Sequence, residues 1–104
     1  MNTQQEQKPG PHWVWVVFEK IGLDENLYAL EDEKSGAKFI PIFREKEDGV
    51  VVQAGFKKTS GAKYDVEAMH IENVAKTARE HHMDIYILNG EGKVIERLSP
   101  VEDA

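Results

Sequence analysis

Residues 70–95 read HIENVAKTAREHHMDIYILNGEGKVI, and this stretch decides the fold. Ile71, Val74, Ala75 and Ala78 recur at i, i+3, i+4 and i+7, one apolar stripe of a 3.6-residue period, which predicts a helix over 71–82. Ile85-Tyr86-Ile87-Leu88 follows almost at once, apolar on both sides of a two-residue period. A strand of that kind needs cover on both faces or a central place in its sheet. Asn89-Gly90-Glu91-Gly92 then stops the run. A phosphate-cradling glycine loop would open a helix, whereas Lys93-Val94-Ile95 and Leu98 continue as a strand. The four residues therefore read as a hairpin turn, with Asn-Gly supplying positive φ.

Upstream, Tyr64–His70 alternates, with Tyr64, Val66 and Ala68 on one side and Asp65 and Glu67 on the other, the pattern of a half-buried strand. Trp13–Phe18 is aromatic and β-branched and reads as the first strand. Ile21–Asn26 reads as a loop, Leu27–Leu30 as a short strand, and Ala37–Phe43 as its hairpin partner across a polar turn ending in Gly36. Pro41 has no N–H for a ladder, which suits an edge strand or a bulge. Arg44–Lys58 reads two ways. Glu45, Glu47 and Asp48 favour a helix start, with Val50, Val51, Ala54 and Phe56 as its buried side. Against that, Gly49 and Gly55 are poor helix residues, and Val50, Val52, Ala54 and Phe56 also alternate as in a strand. The acidic start favours the helix. The sum is an α+β domain over 12–98: a mixed, mainly antiparallel sheet of five to six strands with two helices on one face. Residues 1–11, Gln-rich and ending Pro9-Gly10-Pro11, read as a disordered leader, and 99–104 as an acidic tail.

The chain has 104 residues, a length typical of one domain. It has no cysteine, which excludes disulfides, thiolate metal sites and thiol catalysis. The start of the chain has no apolar core of the kind a secretory signal needs, and Trp13–Phe18 is far too short to cross a membrane. A cytoplasmic protein without a membrane partner is expected. A formal net charge of −6 argues against a nucleic-acid partner, since phosphate binding draws on clustered cations. Lys57, Lys58 and Lys63 are the one basic cluster, and they read as a solvated loop.

Four histidines are the first candidates for chemistry. His81 and His82 are adjacent at the end of the predicted helix and would point about 100° apart, so they suit the helix dipole better than a shared metal ion. His70 sits at a strand–helix junction, where it caps the helix or faces a pocket; His12 adjoins the leader. Ser35, Ser60 and Ser99 lie in no nucleophile elbow, and nineteen acidic residues make chance pairs certain. No catalytic residue, metal ligand or cofactor is expected. Trp13 and Trp15 share one side of the first strand, as part of the core or as a partner surface.

Phe39-Ile40-Pro41-Ile42-Phe43 followed by Glu45-Lys46-Glu47-Asp48 resembles the strand-to-helix junction of SseB-type N-terminal domains. The stretch Ile71–Asn89 is similar to that family's second helix and following strand, so the resemblance spans roughly residues 13–98. It implies a small bacterial α+β domain without an established catalytic activity, and carries over no functional residue. The function expected is a non-enzymatic interaction or regulatory domain that binds a protein partner or a second copy of itself. Trp13–Phe18 and Ala37–Phe43 are the expected edge strands and Trp13 and Trp15 the partner surface. The alternative is a small-ligand sensor with a cleft near His70 and the Asn89-Gly90 turn.

Overall fold

A computed structural model describes residues 12–99; the leader and all but Ser99 of the tail lie outside the described residues. The elements run β1 (Trp13–Ile21), β2 (Asp24–Leu27), β3 (Leu30–Glu31), β4 (Lys38–Phe43), α1 (Lys46–Gln53), β5 (Lys63–His70), α2 (Ile71–His81), β6 (Asp84–Leu88) and β7 (Val94–Leu98). All seven strands join one mixed, mostly antiparallel sheet, an α+β fold with more strands than the sequence suggests. The additional strands come from the segment after β1. Gly22 (φ 59) and Leu23 form a two-residue turn, so Asp24–Asn26 pairs with β1 where a loop is expected. The predicted Leu27–Leu30 strand is broken at Tyr28-Ala29 into β2 and β3.

β1 lies inside the sheet. On one side it pairs with β5 over its length, from Trp13↔His70 to Lys20↔Lys63. On the other it pairs with β4 at Trp15↔Phe43 and Val16↔Ile42, and with β2 from Phe18 onward. β4 continues to β6 in parallel, and β6 to β7 antiparallel. Neither β1 nor β4 is an edge, contrary to the expectation from sequence; the outer strands are β5 and β7. Pro41 misleads because the β1/β3 side of β4 is interrupted at its position. β3 pairs with Lys38 and Phe39, β1 with Ile42 and Phe43, and Ile40 and Pro41 fall in the gap. A residue without an N–H fits a central strand at such a break.

β4, β5 and β6 all run antiparallel to β1 or parallel to its antiparallel partner, so the three point the same way. The chain passes from β4 through α1 outward to β5, then from β5 through α2 back to β6. Crossovers between parallel strands are right-handed, and a reversal of direction at β5 then places the two helices on opposite faces. This corrects the expectation of both helices on one face. One face buries Trp15, Val17, Tyr28, Phe39, Phe43, Tyr86 and Leu88, with Val52 of α1 and Phe56 packed on it. The other buries Val16, Ile40, Ile42, Ile85 and Ile87 against Val74 and Ala78 of α2. The predicted stripe of α2 is thus its buried face. His70 caps its start, Nδ1 accepting the Glu72 N–H at 3.2 Å, and His82 ends it in the left-handed conformation (φ 57).

α1 is a helix, but its buried side differs from the one expected. Val50 and Val51 are exposed, and the helix turns Gly49 and Val52 toward the sheet. Gly49 is buried, and a Cβ there would stand 3.1 Å from both the Phe43 ring and Val66 Cγ1. The glycine that weakens helix propensity is what lets this helix approach the sheet. Gly49→Ala is therefore expected to destabilise the fold: a propensity gain of about 1 kcal/mol is outweighed by an overpacking cost of roughly 1–3 kcal/mol. Urea unfolding should show a lower midpoint, and a higher one would mean that the helix sits farther out.

Candidate functional site

Two places on the molecule carry unpaired or converging polar groups: the split between β1 and β4, and the outer edges of the sheet. The split arises because β2 and β3 wedge between the far ends of β1 and β4. Within the break between β2 and β3, Tyr28 N–H donates to Val17 O of β1 at 2.8 Å. A cleft of about 800 Å³ opens there on the α1 face, lined among others by Glu19, Tyr28, Asp32, Lys57, Lys58 and Thr59. A smaller one of about 330 Å³ opens on the α2 face, with Leu27, Lys38, Thr77, His81 and Met83 around it.

The larger cleft shares Tyr28 with an aromatic cluster. Tyr28 stacks on Phe56 at 5.2 Å and meets Tyr64 edge-on at 5.7 Å. Its polar groups are engaged with one another. The Tyr64 hydroxyl donates to Glu19 Oε2 at 2.6 Å and accepts the Thr59 N–H at 2.7 Å. The Tyr28 hydroxyl donates to Lys57 O, and Lys58 Nζ donates to Gln53 O, closing the end of α1. Burial, then the nearby Tyr64 and Glu19, push the Tyr28 phenol up from its ordinary value. Asp32 Oδ1 accepts the Lys34 and Ser35 N–H groups, and Oδ2 accepts the Tyr86 hydroxyl at 3.1 Å. These bonds, the Lys34 N–H first, hold its carboxyl below the usual carboxylate range. A carboxyl that is easier to ionise in the fold stabilises it above the ordinary value, and that contribution disappears as pH falls through the depressed one. Asp32→Asn should therefore lower Tm at neutral pH and have progressively less effect in strong acid. A Tm difference independent of pH would contradict this account.

The residues singled out from sequence are scattered. His70 and Asn89 lie at the same end of the sheet, but on β5 and just past β6, with β1 and β4 between them. Each is occupied locally. His70 caps α2, its ring lying 5.5 Å from Trp13 edge-on and 5.9 Å from His12. Asn89 Oδ1 accepts the Glu91 and Lys93 N–H groups and holds the hairpin turn. Neither lines the two clefts described above. The positive φ expected of Asn89-Gly90 falls instead on Gly92 (φ 80); Gly90 is needed for space, since a Cβ there would fall 2.8 Å from Asp48 Oδ1. Among the described residues no group of three metal-ligating side chains converges, and no helix is long and apolar enough to cross a membrane.

Trp13 and Trp15 share a face, as alternation requires, but only Trp15 is core. It is 7% exposed, with Lys46 Nζ 5.6 Å from its ring and a buried Nε1 that has no acceptor. Trp13 is 43% exposed at the end of β1. Trp15→Ala should cost about 3–5 kcal/mol in chemical unfolding, and Trp13→Ala roughly 1 kcal/mol or less; equal costs would contradict this division of the pair.

The two edges differ. β7 is short and carries a register irregularity opposite Ile87 and Leu88, and Glu96 on it is tied to Arg44 at 2.9 Å. Short length, a bulge and charges are the usual ways of blunting an edge. β5 pairs with β1 at eight consecutive positions without a bulge, contains no proline, and has no strand on its outer side among the described residues. None of its residues is fully buried, whereas β4 is buried from Phe39 to Phe43. Nothing in the sequence marked β5 as an edge; its half-apolar alternation is equally that of a strand with one wet face.

No family model, no curated protein and no solved structure matches this chain. The resemblance to SseB-type domains therefore rests on the residues quoted for it.

Proposed function

We propose that this domain is a non-enzymatic interaction module that takes an extended segment of a protein partner along the outer edge of β5. The observation that carries the reading is the edge of β5, regularly paired with β1 over eight positions and free of bulge and proline, beside a β7 edge that is short and irregular in register. Strand addition needs a row of free N–H and C=O groups in regular spacing, and main-chain bonds then supply the affinity. The side chains support the absence of catalysis. Tyr28 and Asp32 of the larger cleft, and Tyr64 packed against Tyr28, are committed to hydrogen bonds within the fold, and His70 is committed to a helix cap.

Amide exchange of the full chain, followed by NMR, tests the reading. At low micromolar concentration every second β5 amide, those turned away from β1, should exchange nearly freely, while those facing β1 are protected. Uniform protection of all β5 amides would mean that the edge is already covered and would overturn the proposal. Protection of the outward amides that grows with protein concentration would identify a second copy as the partner.

A further inference from the structure

The charges beside the β5 edge carry the reading further. On the α2 face of the sheet, Asp65 and Glu67 stand two residues apart on β5 and lean inward onto one cation of β1. Lys20 Nζ lies 2.7 Å from Asp65 Oδ2 and 3.2 Å from Glu67 Oε2, and Glu25 of β2 approaches the same ammonium at 3.7 Å. One lysine serves three carboxylates, and the hydrogen bonds it donates to Asp65 and then Glu67 raise its proton affinity well above the usual lysine range. Both β5 carboxylates stay about half exposed, at 51% and 42%. Asp65 and Glu67 thus stand at alternate positions of the edge, and with Glu25 they outnumber the cations of that face, Lys20 and Lys63, by one. The opposite face of β5 there is apolar, with Val66 and Ala68 packed toward the core.

Resting on the proposed use of this edge, we infer that its partner is a heterologous strand bearing Lys or Arg at alternate positions around an apolar residue. Cross-strand neighbours stand about 4.5–5.5 Å apart at Cβ, close enough for opposite charges to favour pairing and like charges to oppose it. A second copy of this chain meets the wrong charges. A two-fold axis perpendicular to the sheet extends it antiparallel with like faces together, and two registers then overlap most. With Lys63–Met69 paired about Val66, Asp65 faces Glu67 of the second copy twice. With Tyr64–His70 paired about Glu67, that residue faces its own copy. Both registers set carboxylate against carboxylate. A basic alternating strand puts a cation opposite each acid instead.

The test uses dye-labelled eight-residue peptides and fluorescence anisotropy with the full chain. One alternates Lys and Val, a second Glu and Val, and a third is the Lys peptide with alternate backbone nitrogens methylated. The inference expects the Lys peptide to bind at least about tenfold more tightly than the Glu peptide. Asp65→Asn with Glu67→Gln, which keeps size and hydrogen bonding, should remove most of that preference, and Asp65→Lys with Glu67→Lys should reverse it. Methylation should abolish binding. Should methylation abolish binding while the β5 variants leave the preference unchanged, edge pairing stands and the charge rule falls. Should methylated and unmethylated peptides bind alike, attraction to the acidic surface alone is responsible, and the edge reading falls as well. Absence of binding by all three peptides overturns the charge rule and leaves the edge to be judged by amide exchange.

Discussion

β1 is the constraint on which this architecture turns. It runs against β4 and β5 and separates them, so two strands that point the same way cannot lie side by side. Val16 and Val17 are both buried, one on each face, and a strand of that kind demands cover above and below. The chain supplies it by crossing over β1 twice, once outward through α1 and once back through α2, and the handedness of such connections sends the helices to opposite sides. A single antiparallel strand in the interior thus settles where both helices lie, and leaves β5 on the outside with β1 as its only strand neighbour among the described residues.

Each helix solves its contact differently. α2 does it with a regular stripe, so Val74 and Ala78 meet the isoleucines of β4 and β6 with ordinary side-chain packing. α1 is short and has no such stripe; it comes close by omitting a side chain at Gly49, above Phe43 and Val66. That difference explains why one helix was plain in the sequence and the other ambiguous. Periodicity reports helices that pack through side chains. A helix that packs through its backbone looks like a weak helix, and its valines at 50 and 51 face solvent.

The elements and their order were legible because they depend on local pattern: the 71–82 stripe, the doubly apolar run at 85–88, the turn at Asn89. The arrangement was less so, because which strands neighbour which is a matter of long-range pairing. Pro41 pointed to an edge on sound grounds, yet the relevant feature was a break in the ladder made by β2 and β3 wedging in. The tryptophan pair was readable as sharing a face, but whether a face is covered depends on where α1 falls, and Trp15 lies within reach of Lys46 of that helix while Trp13 stays half in solvent. The β5 edge was invisible for the same reason. Residues 63–70 read alike whether one neighbour or two flank the strand.

The pairing of β1 with β5 also bears on how the chain reaches its fold. Trp13 must find His70, and Lys20 must find Lys63, across most of the intervening sequence. Loop closure on that scale comes before any reward from the contacts it makes, so slow folding is expected of such a topology. During synthesis β1 emerges early, apolar on both sides, and waits until β5 has left the ribosome. Its short hairpin with β2, closed by Gly22, and its two-residue pairing with β4 are available to it sooner. The strand most needed at the centre of the finished sheet is therefore the one longest exposed to mispairing, and the Asp24-Glu25-Asn26 strand beside it serves as a polar escort through that interval.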